Sequence, residues 1–173
     1  MNARPGHIQP LAGPRPPRGL ARLAFRLPLP LYRHGLGWLM TNNFLLLTHT
    51  GRQSHAPRRT VLEVIAHDAV SDIYYVASIW SPPPDWVRNL NASPDAQITV
   101  GRREMNVVAY HLTADAAEQL LMNYVWNHPL RAKMLPRLLG QKDVRHVEDF
   151  RAMARQMTIF ALCPESRAAN EGR

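Results

Sequence analysis

The chain has 173 residues, 46% hydrophobic and 20% charged, enough for one domain whose core needs no covalent staples. A single cysteine, Cys163, excludes an internal disulfide, and no run reaches the ~18 uninterrupted apolar residues of a membrane span. The formal charge of +8 is unevenly placed: nine arginines and no acidic residue precede Glu63, so that part carries +9 and the remainder −1. Such a field attracts anionic partners.

In chain order, residues 1–18 hold five prolines and read as a disordered basic arm. Residues 19–163 read as the single domain and 164–173 as a frayed tail. Arg18, Arg22 and Arg26 recur at i, i+4 and i+8, opposite Leu20, Leu23, Ala24 and Leu27. That spacing predicts an amphipathic helix, ended by Pro28 and Pro30. Two fates compete for it: packing its leucine face on the domain, or lying on an anionic membrane surface through residues 18–27. The stretch from Gly19 to Met40 is broken by arginines and prolines and lacks the block of a secretory signal, so the expected location is cytoplasmic. Tyr32 to Met40 predicts a second short helix.

The middle of the chain predicts strands over 44–49, 58–66, 72–78, 96–100 and 104–112, from Val, Ile, Tyr and Thr enrichment. Thr113 reads as the N-cap of a helix over 114–127, with Ala117, Leu120, Leu121, Tyr124 and Val125 on one side. Further helices are expected over 130–139 and 147–156, and a last strand over 157–162. Strands in succession with helices around them predict an α+β fold built on a small antiparallel barrel of about six strands.

Two stretches carry chemistry. The first is Thr50-Gly51-Arg52-Gln53-Ser54-His55-Ala56-Pro57-Arg58-Arg59, between two apolar β-type runs. Backbone N–H groups at a Gly turn can point at phosphate oxygens, and guanidinium forks match them bidentately. A solvated hairpin is the plainer alternative. The second runs from Ala77-Ser78-Ile79-Trp80 through three prolines to Asp85-Trp86-Val87-Arg88-Asn89-Leu90. Asp85 reads as a helix cap, and Trp86, Asn89 and Leu90 share one helical face. Trp80 and Trp86 can wall a planar ring, with the Asn89 amide and Ser78 hydroxyl on its heteroatoms, or else simply fill core.

Taken in order, Leu-Leu-Thr-x-Thr-Gly-Arg-x-Ser at 46–54, Arg58, Ala77-Ser78, Asp85-Trp86-x-x-Asn89-Leu90 and Pro94 resemble the deazaflavin-dependent nitroreductase family. The likeness covers about residues 30 to 162. It implies a split β-barrel that uses coenzyme F420, whose planar head, phosphodiester and oligoglutamate tail call for a ring slot and a cationic groove. Residue by residue, it implies that Arg52, Ser54 and Arg58 hold the phosphate and nearby carboxylates, with Gln53 and Thr60 beside them. Ala77, Ser78, Trp80, Asp85, Trp86 and Asn89 would surround the ring. Arg59 is a weaker candidate, since strand alternation sends it to the face opposite Arg58. Where many relatives have Lys and Gly, this chain has Gln53 and His55, so one point charge is lost and a side chain stands at a left-handed position.

The reaction so implied is hydride transfer from the reduced deazaflavin to a small, apolar, electron-poor acceptor: a quinone, an enone or a nitroaromatic. Tyr110, Tyr124, His111 and His128 are candidate proton donors among which spacing does not choose. FMN on a similar barrel is the alternative cofactor, supported by Gln53. A non-catalytic deazaflavin carrier is another alternative, and nucleic-acid binding ranks last, because the arm lacks interleaved aromatics. No HExxH, Cys/His ligand spacing, P-loop or Gly-x-Ser-x-Gly pattern is present, so no metal site is expected. The resemblance also implies that two barrels can pair into a homodimer, which exposed strand edges would favour.

Overall fold

The computed structural model describes residues 43–127 and 147–165. The basic arm, the expected helices before residue 42, the segment 130–139, His128 and the tail from 166 lie outside these residues. In chain order the elements are β1 (Phe44–Thr50), β2 (Pro57–Asp68), β3 (Ile73–Ser78), α1 (Asp85–Ala92), β4 (Asp95–Val100), β5 (Arg103–His111), α2 (Ala114–Asn127), α3 (Val147–Gln156) and β6 (Thr158–Pro164). The strands close into an antiparallel barrel in the order β1-β2-β3-β6-β5-β4.

Period-two alternation decides which side chains fill this barrel. On β1, Leu45 and Leu47 point inward and are fully buried, and His49 continues the same face at 5% exposure. Across β2 their partners are Leu62, Thr60 and Arg58, so the interior passes from leucine to cation towards one end, called the mouth below. Val76, Ile98, Val107, Phe160 and Leu162 complete the inner layer. Helix α1 joins β3 to β4 and plugs the mouth with Trp86, Val87 and Leu90, all within the same core. A second core lies outside the barrel, where Leu121 and Tyr124 of α2 and Met153 and Ala154 of α3 pack with Ile79. Arg151 and Arg155 of α3 both reach Glu118 of α2 and tie the two helices.

Three expectations change. The last strand extends to Pro164 because Cys163 and Pro164 pair with Val108 and Val107 of β5, so the chain is ordered strand beyond 162. Asp85 does not cap α1: the N-cap is Pro84 with no side-chain hydrogen bond, and Asp85 is the first helical residue. Finally, β1 pairs with both β2 and β4, so every strand has two neighbours. With no open edge among the described strands, strand-edge pairing of these strands gives no reason for two barrels to associate. Thr113 does act as expected, its Oγ1 accepting the Ala116 N–H at 3.4 Å.

Candidate functional site

The loop between β1 and β2 is folded on itself by its own sequence. The Gly51 N–H donates to the Ala56 carbonyl at 2.9 Å, and the His55 N–H donates to the Gly51 carbonyl at 2.7 Å. A Cβ on residue 51 would stand 2.7 Å from the Ser54 hydroxyl, so a side chain there would push that hydroxyl from its place. His55 takes the left-handed conformation, with φ of 52°. The expected conflict at that position is met by histidine, one of the few side chains enriched there. Ser54 Oγ accepts the Ala56 N–H at 3.4 Å and the Arg58 guanidinium at 3.2 Å. Gln53, Ser54, Arg58 and Arg59 are exposed, and Thr60, opposite Leu47, is half-buried. Arg59 pairs with Thr48 on the outer face while Arg58 pairs with His49 on the inner one.

The second stretch meets this loop directly. The Arg52 guanidinium donates to Asp85 Oδ1 at 3.0 Å and to Asn89 Oδ1 at 3.0 Å, and the Arg52 backbone N–H donates to the same Asn89 oxygen at 3.1 Å. Two motifs 33 and 37 residues apart in sequence are therefore fastened into one edge at the barrel mouth. On the other side of Asn89 its Nδ2 lies 3.1 Å from His49 Nδ1. Asn89 is 3% exposed and uses both halves of its amide within the protein.

Trp86 lies next to Asp85 but turns into the core at 7% exposure, edge-on to Phe160 with centroids 5.9 Å apart. Its indole is core here rather than an open wall. Ser78 is buried, its hydroxyl accepting the Trp80 N–H at 3.4 Å, and Ala77 and Trp80 are half-buried. Of the candidate proton donors, Tyr110 is exposed on β5 and Tyr124 donates to Glu63 at 3.4 Å. His111, exposed at the mouth end of β5, stands edge-on to Phe160 at 5.5 Å and so shares an aromatic neighbour with Trp86.

His49 is the polar residue that sequence reasoning passed over. The signal was its place in the inward series 45, 47, 49, where a polar side chain demands a buried partner. Burial pushes its pKa below the ordinary value; Arg58 adds to this, while a Thr50 backbone hydrogen bond and Asp85 oppose it. A cavity of about 380 Å³ includes His49 in its lining, together with Thr48, Thr50, His55, Asp95, Gln97 and Glu165. Among the described residues, no group of three His, Cys, Asp or Glu could hold a metal ion. No helix of theirs is long and apolar enough to cross a membrane.

The donor set suits a phosphate with carboxylates attached. Arg58 and Arg59 are exposed and form no ion pair among the described residues, Ser54 adds a hydroxyl, and residues 43–62 contain no acid. A closed six-stranded barrel with a cationic hairpin clamped to its plugging helix defines a small split-barrel protein with a place for an anionic ligand. The model of the F420H(2)-dependent quinone reductase family matches residues 32–134, more than half of the chain, and the chain belongs to that family. It is an F420H2-dependent oxidoreductase, and its cofactor is coenzyme F420. Among solved structures it is similar to an F420-H2 dependent reductase, FDR-A, at 19% identity over 70% of this chain and 95% of that one, with a TM-score of 0.48. A structure described as a domain-swapped dimer matches at 16% identity over 83% and 99%, TM-score 0.51. An FMN-binding protein of Nostoc punctiforme, related to pyridoxamine 5'-phosphate oxidase, matches at 14% over 78% and 79%, TM-score 0.45. At these identities the likeness concerns the fold. No curated protein matches.

Proposed function

We propose that the β1–β2 hairpin and the start of α1 form the coenzyme-holding edge, and that the electron acceptor is a quinone. The single observation that supports this is the clamp of Arg52 on Asp85 and Asn89, which sets an acid-free arginine hairpin rigidly beside the plugged mouth. Arg58 and Ser54 take the phosphodiester: the fork of Arg58 is already aimed by the Ser54 hydroxyl and has no carboxylate partner among the described residues. Arg52 contributes its remaining N–H donors, and Arg59 on the outer face reaches glutamyl carboxylates rather than the same phosphate. When bound, F420H2 supplies a hydride for an electron-poor acceptor. Ala77 and Ser78 on β3, Trp80 after it, and α1 behind them give the ring its floor, while Trp86 and Leu90 keep water from the barrel interior below.

Cytoplasmic location belongs to the same proposal, as does contact with anionic lipid through residues 18–27, since quinones partition into membranes. So does pairing into a homodimer, which the domain-swapped neighbour supports. Titration of the purified chain with F420 and separately with FMN, read by fluorescence, tests the binding edge. F420 is expected to bind, Arg58→Ala to weaken it, and FMN to bind poorly. FMN binding tighter than F420, or an Arg58→Ala variant with unchanged F420 affinity, would overturn the assignment. Turnover with a naphthoquinone but not with a nitroaromatic or an enone separates the acceptor classes.

A further inference from the structure

His49 lies on β1 at the inner face of the hairpin, below its loop, and its chemistry is fixed by a chain of donors. Arg52 can only donate, and it presents two N–H groups, one from the backbone and one from the guanidinium, to a single oxygen of Asn89. The amide orientation follows: Oδ1 faces Arg52 and Nδ2 faces the imidazole. Nδ2 carries only hydrogens, so Nδ1 of His49 must bring the lone pair and the ring proton sits on Nε2. The bond therefore exists only for the neutral ring.

A proton on Nδ1 turns this contact into donor against donor. Turning the amide over does not repair it, because Nδ2 would then face the two donors of Arg52. One oxygen cannot serve both sides, so a single proton sets His49 and Arg52 in competition for it. We propose that His49 is a positioning residue for the hairpin, holding Arg52 and its loop through Asn89 while neutral and releasing them when protonated.

The surroundings set the direction. Arg58 is its cross-strand partner on β2, Arg52 lies beyond Asn89, and Asp85 faces it from α1. His55, Asp95 and Glu165 are the titratable groups that line a cavity together with His49. Burial is the largest influence and favours the neutral ring, so the hairpin is held at neutral pH. The linkage has a definite sign. Between the lowered folded value and the ordinary value of about 6.5 the unfolded chain binds more protons, so His49's contribution to stability is complete above that window and is lost as pH falls through it.

This inference rests on the hairpin being the coenzyme edge, but the latch can be read without coenzyme. In the ¹⁵N-labelled full chain, the His49 ring nitrogens are followed by NMR as pH is lowered from neutral, together with the shift and exchange protection of the Arg52 amide. The Arg52 amide is expected to lose protection with the same midpoint at which His49 takes its proton. In His49→Gln, a side-chain carbonyl can accept from Asn89 without titrating, so Arg52 protection becomes independent of pH. F420 affinity of the native chain relative to His49→Gln is expected to fall about tenfold below the midpoint, the scale of one charged hydrogen bond. The ratio cancels protonation of the coenzyme itself.

An Arg52 amide indifferent to His49 protonation overturns the inference, and so does a His49→Gln chain with the native pH profile. If His49→Gln does not fold, the native NMR titration alone decides. If the Arg52 amide follows His49 but F420 binds at no pH, the latch stands and the coenzyme assignment falls.

Discussion

Both ends of the barrel are fastened by an arginine on an aspartate, yet what stands behind each pair is different. At the end away from the mouth, Asp72 accepts from Arg103 at 2.6 Å and faces His67 Nε2 at 3.1 Å, and His67 stacks on Tyr74 with centroids 4.0 Å apart. This joins the β2–β3 turn to the start of β5, and the carboxylate meets two basic partners on the spot. At the mouth, Arg52 reaches Asp85 at 3.0 Å, but its deeper support is the neutral pair Asn89 and His49, and Arg58 and Arg59 stand nearby with no ion pair among the described residues. One end is tied and locally balanced; the other is tied and left cationic. Where uncharged groups carry the support, arginine charge stays available to a ligand.

Breaking the mouth from beneath has the largest expected effect. Trp86→Ala removes the buried plug against Phe160 and should lower unfolding free energy by about 3–5 kcal/mol in a denaturant titration. A loss under about 1 kcal/mol would show that the indole is not needed to close the barrel. Next comes Asn89→Ala, which strands a buried imidazole nitrogen and the Arg52 N–H at about 1–3 kcal/mol for each orphaned group. It should weaken F420 binding as well. Arg58→Ala comes third, lowering F420 affinity by about 1.5–3 kcal/mol with the melting temperature almost unmoved, because the side chain is exposed. The smallest effect belongs to the far end: Arg103→Ala should cost about 0–1 kcal/mol and leave F420 affinity unchanged. Equal losses of affinity from Arg58→Ala and Arg103→Ala would erase the distinction between the ends.

Much of this was legible locally. Residues 114–127 and 147–156 are helices as their periodicity predicts, and the hairpin runs around Gly51 and Arg52 lie within a residue or two of the observed strands. The wider errors have a common cause. Asp85 looks like a cap because the window around it contains only its own helix; its partner Arg52 lies 33 residues back. Asn89 looks available to a ring because its acceptors and donors, Arg52 and His49, are 37 and 40 residues away. The tryptophan at 86 faces either a ligand or a core on the same helical spacing, and only Phe160, 74 positions later, decides for the core. Closure of β1 onto β4 likewise leaves no trace in either strand, so an edge is expected where the barrel has none.

The position of β6 has a consequence for how the molecule is made. It is the last strand in the described chain, yet it sits between β3 and β5, antiparallel to each. Until Thr158–Pro164 has been synthesised, the two older strands face each other across an unfilled gap and the barrel remains an open ribbon. Assembly must therefore wait for a late insertion, and a premature stop before Thr158 would yield a chain with two sticky edges rather than a smaller working enzyme.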